Sequence, residues 1–315
     1  MQKNEQILLK PKIDVVFHAL FRRKNNTLLE AMLSDILGTK VKIIENLDRH
    51  LDIATADEKL GIMDLRVRFE DGTYCNVEIQ LEPCKFENER FLYYLADTYS
   101  RQLERGENYE EIQKTISIAI VDHNIKELDG IEDLNVRWQM RDNTNGSRIL
   151  TDRFELAIIE LPKAKRLYRN GNDNKIGQWM MFLDNPNSKE VYDIMNKNES
   201  IKKAGNELKQ VSGDYELRRI AELKEKYIRD EKARMAYVLE KGQKEGVELG
   251  LKEGRERGYK EGIEQGIEQG IEQGIEQGIE QATEKIVKRM LENNMDKKII
   301  SQITGLSINK INELA

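Results

Sequence analysis

Two alternating runs joined by a glycine turn constrain the fold of this chain more than any other feature. The first is Gly61-Ile62-Met63-Asp64-Leu65-Arg66-Val67-Arg68-Phe69, and the second is Tyr74-Cys75-Asn76-Val77-Glu78-Ile79-Gln80-Leu81. Side chains alternate across a strand, so each run has one apolar and one polar face. Met63, Leu65, Val67 and Phe69 share one face, and Asp64, Arg66 and Arg68 the other. In the second run Cys75, Val77, Ile79 and Leu81 oppose Asn76, Glu78 and Gln80. Between them stands Glu70-Asp71-Gly72-Thr73, a turn signal. A loop over residues 70–72 puts Gly72 where φ must be positive, as in a type I turn with a bulge. That loop pairs Phe69 with Thr73 and, counting outward, Asp64 with Glu78. A two-residue Asp71-Gly72 loop would pair Asp64 with Ile79 and send one apolar set to the wrong face. The hydrophobic pattern therefore selects the register that opposes the two acids, with Cβ atoms about 5 Å apart.

Two carboxylates this close repel, which costs stability or raises one pKa. A divalent cation relieves the repulsion, and hard cations such as Mg²⁺ take one or two carboxylates plus water and phosphate oxygens. Such a site can activate water and stabilise charge on a phosphate. Gln80, on the same face, is placed to orient the water or the phosphate. The alternative from spacing alone is a solvated polar face whose acids pair with Arg66 and Arg68.

Composition limits the partners. The chain has 315 residues, 39% hydrophobic and 34% charged, with a net charge of -6. That balance argues against a globally basic nucleic-acid binder but leaves room for a local basic groove. Candidates for DNA contact are Arg22, Arg23, Arg90, Tyr93 and Lys163, with an ordinary solvated or packed side chain as the alternative for each. No apolar run approaches 18 residues, so no membrane span is expected. The start lacks a signal-peptide layout. Two cysteines, Cys75 and Cys84, and three histidines give neither zinc spacing nor a disulfide framework. A reducing cytoplasm fits these features.

Helical spacing runs through Leu28, Leu29, Met32, Leu33, Ile36 and Leu37, stopped by Gly38. A strand is expected over residues 41–44, a helix over 87–105, and buried strands over 116–121 and 154–161. Residues 175–240 read as mostly helical. Strands alternating with helices indicate an α/β fold with a central mixed sheet. Glu30, on the helix that Gly38 stops, is a supporting candidate that could reach a metal site, or an ordinary surface glutamate, and Asp14 is a second supporting candidate.

Between residues 242 and 278 a glycine stands at every fourth position, ten in all, ending in five tandem copies of Gly-Ile-Glu-Gln. A period of four winds around a helix by roughly 40° per repeat. Ten interior glycines cost on the order of 10 kcal/mol relative to alanine. The tract reads either as a flexible linker or as a helix through which two copies associate. Residues 295–315 then read helix, turn, helix, with Ser307 as N-cap and Lys310 on the second helix.

These residues together resemble the Rpn family of recombination-promoting nucleases, transposase-related members of the PD-(D/E)XK superfamily. The resemblance rests on Lys10-Pro11-Lys12-Ile13-Asp14-Val15-Val16-Phe17 with Leu20-Phe21, on Asp64 with Asn76-Val77-Glu78-Ile79-Gln80-Leu81, on Glu160-Leu161-Pro162-Lys163, and on the glycine-periodic tail. It implies a restriction-endonuclease-like core flanked by helices, with a helical C-terminal extension. It implies Asp64 and Glu78 as ligands of Mg²⁺ (or Mn²⁺), with Gln80 in the superfamily's lysine position. DNA would be the partner and phosphodiester hydrolysis the reaction. Met63 replaces the proline that names the motif, and His18 stands where many relatives carry lysine. The expected organisation is a nuclease-like core at 1–170, a helical extension at 171–240, the repeat at 241–282 and a small helical unit at 283–315. The alternative is a non-catalytic DNA-binding or self-associating protein that keeps the fold.

Overall fold

The computed structural model describes residues 6–22, 26–47 and 65–315. The chain divides into two compact units, Met1–Lys232 and Ala233–Ala315. The first is built on a six-stranded sheet of order β1-β2-β3-β4-β6-β5. Its strands are β1 (Ile43–Asn46), β2 (Leu65–Phe69), β3 (Tyr74–Gln80), β4 (Thr115–Val121), β5 (Asn135–Gln139) and β6 (Phe154–Glu160). The β3–β4 and β4–β6 pairs are parallel and the other three antiparallel, so the sheet is mixed, as expected. The central strand β4, Thr115-Ile116-Ser117-Ile118-Ala119-Ile120-Val121, is buried throughout, as a parallel strand covered on both faces must be.

The hairpin register is the one the apolar pattern selects. Arg68 pairs with Tyr74, Val67 with Cys75, Arg66 with Asn76 and Leu65 with Val77. Phe69 and Thr73 close the loop through a 2.9 Å bond from the Phe69 N–H to the Thr73 carbonyl. Gly72 has φ +88°, which only glycine adopts without strain. The next step, Asp64 opposite Glu78, falls on a residue outside those described.

Leu65, Val67, Phe69, Cys75, Val77, Ile118 and Ile120 pack on one side against α1 (Asp14–Phe21), α2 (Thr27–Leu37), α5 (Lys175–Asp184) and α7 (Glu199–Ser212). Trp179 of α5 is fully buried there and donates its indole N–H to Asp35 at 3.0 Å. The other side is covered by α3 (Glu87–Ser100), whose Phe91 and Leu95 meet Ala119, Val121, Leu156 and Ile158. Two further helices, α4 (Leu161–Arg169) and α6 (Lys189–Lys197), complete the layers. Pro162 does not merely end a strand: it sits in the first turn of α4, where its missing N–H costs nothing.

Some boundaries differ from the sequence expectation. The first strand runs two residues later than 41–44, and the Val41 N–H goes instead to the Ser34 hydroxyl at 3.0 Å. The helix expected over 87–105 stops at Ser100. β5 has no apolar run to announce it, being an edge strand of sequence Asn-Val-Arg-Trp-Gln with exposed Arg137 and Trp138.

The helix α8 spans Tyr215–Glu292 and includes all ten periodic glycines. Its opening turns belong to the first unit. There Ala221 is buried, Lys224 pairs with Asp14, and Lys232 lies 3.1 Å from Glu82. In the second unit, nothing beyond the helix itself comes within 4 Å of where a Cβ would stand on the periodic glycines. Ile263, Ile267, Ile271, Ile275 and Ile279 are all exposed along it. Val287 packs with Ile300 of α9 (Lys297–Thr304) and Ile311 of α10 (Ile308–Glu313). Gly305 ends α9 at φ +74° and the Ser307 hydroxyl caps α10 by accepting from the Lys310 N–H at 3.3 Å.

Candidate active site

The polar face of the hairpin lies on the same side of the sheet as α3. In the parallel register of β3 with β4, Asn76 pairs with Ser117, Glu78 with Ala119 and Gln80 with Val121. Ala119 and Val121 are covered by Phe91 and Leu95 of α3. Packing therefore brings the polar side chains of α3 over the acidic strand. Arg66 reaches Asp97 of α3 at 3.7 Å, and Arg68 reaches Glu45 of β1 at 3.5 Å. Neither arginine pairs with Glu78, so the solvated-face alternative does not describe this carboxylate.

Glu78 is only 1% exposed. The Arg90 guanidinium donates to it twice, from Nε at 3.1 Å and from Nη2 at 2.9 Å, and both bonds end on Oε1. Among the described residues Oε2 receives no bond. Burial pushes the Glu78 carboxyl above the ordinary glutamate value, and the nearby charge of Glu87 adds to this. Arg90 opposes the rise without cancelling it. A buried carboxylate with one oxygen anchored and one open is a suitable donor for a hard cation, whose charge would complete what Arg90 leaves undone. Among the described residues no group of three or more His, Cys, Asp or Glu side chains forms a ready-made metal cluster.

Gln80 stands at the end of β3. Its amide donates to the Glu82 carbonyl at 2.7 Å, which leaves its own oxygen as acceptor, and its backbone carbonyl takes the Asp122 N–H at 2.9 Å. Asp64 and Arg23 lie outside the described residues. Glu30 is engaged with the Ile43 N–H and serves as a clasp between α2 and β1. Asp14 caps its own turn through the Val15 N–H and pairs with Lys224. Arg22 caps the C-terminus of α1. Tyr93 is exposed on α3.

Lys163 needs correction as a DNA-contact candidate. It is 3% exposed and its Nζ lies 2.7 Å from the Glu160 carboxylate as an ion pair, while that carboxylate accepts the Ile125 N–H at 2.7 Å. Glu160 ties β6 to the segment that follows β4, and Lys163 is buried beside it rather than presented at the surface. Arg90 also has a first duty other than DNA, because its guanidinium is spent on Glu78.

Sequence reasoning missed a dyad beside this face. His123, two residues past β4, directs Nε2 at both Glu87 carboxylate oxygens, at 2.7 and 2.8 Å. Glu87 is one turn before Arg90 on α3, so the dyad fixes the start of the helix that carries Arg90. The parallel pairing of β3 with β4 was the only available signal, and it needs the register to be known first.

Comparison with known families finds a match, over residues 11–238, to the family described as PD-(D/E)XK nuclease family transposase. No curated protein and no solved structure matches the chain.

Proposed function

The chain belongs to the PD-(D/E)XK nuclease family transposases, and from that premise we propose that it is a metal-dependent DNA endonuclease acting at Asp64, Glu78 and Gln80. The observation that carries this reading is Glu78, a carboxylate buried on the central hairpin with one oxygen held by Arg90. Asp64 and Glu78 would hold Mg²⁺ or Mn²⁺, which supplies Lewis acidity and a lowered pKa for bound water. Arg90 fixes the Glu78 carboxylate in one rotamer and keeps its charge tolerable in a site closed to solvent. Gln80 presents an uncharged amide oxygen, suited to orienting a water molecule and unable to neutralise a phosphate. Water would add across a P–O bond of the backbone, and the resulting break would promote recombination.

Supercoiled plasmid should be nicked or linearised in Mg²⁺ and spared in EDTA. The Asp64→Ala variant should leave it intact, and equal cutting by that variant would sink the assignment.

One observation favours a second reading, a DNA-binding or self-associating protein without catalysis. Arg90 already pairs with Glu78, and Gln80 brings no positive charge to the lysine position. DNA retardation with no cleavage under any divalent cation would select this reading. In either case the exposed isoleucine row of α8 supports association with a second copy of the chain, and no helix among the described residues is long and apolar enough to cross a membrane.

A further inference from the structure

The outer face of α3 carries large rings that nothing in the fold uses. Phe86, the N-cap residue, is 63% exposed and Tyr93 is 66% exposed. They stand seven positions apart, which on a helix is about 10 Å along the axis and a rotation within about 20° of full turns. They therefore lie near one line. Leu92 beside them is also exposed. Burying such side chains would stabilise the fold by about 2 kcal/mol each, yet they face solvent while Phe91 and Leu95 fill the interface below.

This line shares α3 with Arg90, the residue that holds Glu78. Arg90 is one turn after Phe86 and one turn before Tyr93, and its N–H donates to the Phe86 carbonyl at 3.1 Å. Cations accompany the rings: Lys85 Nζ lies 5.4 Å from the Phe86 ring centre and Arg90 lies 5.5 Å from that of Tyr94. Tyr94 in turn meets Tyr93 edge to face at 5.7 Å. Glu89 stands on the same outer face, so attraction to a phosphate backbone alone does not account for it. Paired DNA hides its base faces and offers a protein surface mostly phosphates and groove edges. Exposed rings flanked by cations match instead the faces of unpaired bases, which stack on aromatic side chains whatever their sequence.

We propose that Phe86 and Tyr93 form a stacking platform for unpaired bases, so that the DNA acted on at Glu78 is single-stranded or locally opened rather than intact duplex. This rests on the reading of the Glu78 face as a DNA-cutting site and names its substrate class. The platform holds the bases about one helix turn on either side of Arg90, on the helix that covers Glu78.

The test measures binding separately from cutting. Full-length protein in EDTA is titrated by fluorescence anisotropy against a labelled single strand, the same strand fully paired, and a duplex with a mismatched central bubble. The single strand and the bubble should bind about tenfold tighter than the duplex. Phe86→Ala and Tyr93→Ala should each weaken binding of the unpaired ligands by about fivefold or more, the scale of one lost base stack. Duplex binding should stay unchanged, and Phe86→Trp should retain the preference. Equal affinity for paired and unpaired DNA, equal losses on both, or no DNA binding at all would overturn the platform. A change in mass for the alanine variants by light scattering would assign the rings to a protein contact and overturn it as well. Cutting of the single strand and of the bubble duplex in Mg²⁺ is scored separately, so a protein that binds opened DNA without cutting it refutes the nuclease reading and leaves the platform standing.

Discussion

Glu78 shows how a single residue can be held at a cost to the fold. Its folded pKa lies above the ordinary value because burial outweighs Arg90. Below the ordinary glutamate pKa the group is protonated in both states and contributes nothing. As pH rises, the unfolded chain loses the proton first, so stability falls until the folded carboxyl also ionises, and the deficit is constant above that. Glu78→Gln should therefore gain on the wild type as pH rises through this window, seen as a growing difference in Tm. Metal affinity should increase over the same range, since a cation competes with the proton. Arg90→Ala leaves a buried charge with no partner and should cost about 3 kcal/mol near neutral pH. Urea unfolding should show that loss shrinking in acid, where Glu78 is neutral. A loss independent of pH would mean that Arg90 acts through packing alone.

Among elements, the β2–β3 hairpin was legible because two independent constraints agree on it. Apolar alternation and the positive φ of Gly72 both require the pairing of Leu65 with Val77. A substituent at Gly72 meets a strained backbone and Gln113 Oε1 at 3.0 Å. Gly72→Val should thus cost about 2 kcal/mol, the scale of forcing a β-branched residue into positive φ, by chemical denaturation. The edge strand β5 was not legible, since its sequence alternates weakly and its order in the sheet depends on contact with β6. Nor was the Arg90–Glu78 bond, which exists only because Phe91 and Leu95 dock α3 on the sheet. Lys163 shows the converse: a lysine in a basic stretch reads as exposed until the fold buries it against Glu160. In α8, replacing Gly266, Gly270 and Gly274 by alanine meets no protein atoms beyond the helix. It should stabilise the helix by about 1 kcal/mol per site, measured as helical circular dichroism on heating. A fall in helicity would show that a second chain approaches these glycines closely.

At the scale of the whole molecule, the net charge of -6 means that DNA must be captured by local groups rather than by overall attraction. The second unit offers five exposed isoleucines in one row and is the proposed site of self-association. Removing residues 242–315 should reduce the mass measured by light scattering to that of one chain, and an unchanged assembly would move the contact to the first unit. The sequence made the α/β core and its acidic strand legible, because apolar periodicity encodes layers. It could not say which charges the layers would bury together. The most direct test of the account is cleavage of DNA in Mg²⁺ by wild type and Glu78→Gln, both confirmed as folded by their unfolding transitions. The account predicts that the variant cuts slower by about 100-fold or more, the scale of losing a group that stabilises transition-state charge, at undiminished stability. A folded variant that cuts at the wild-type rate would contradict it.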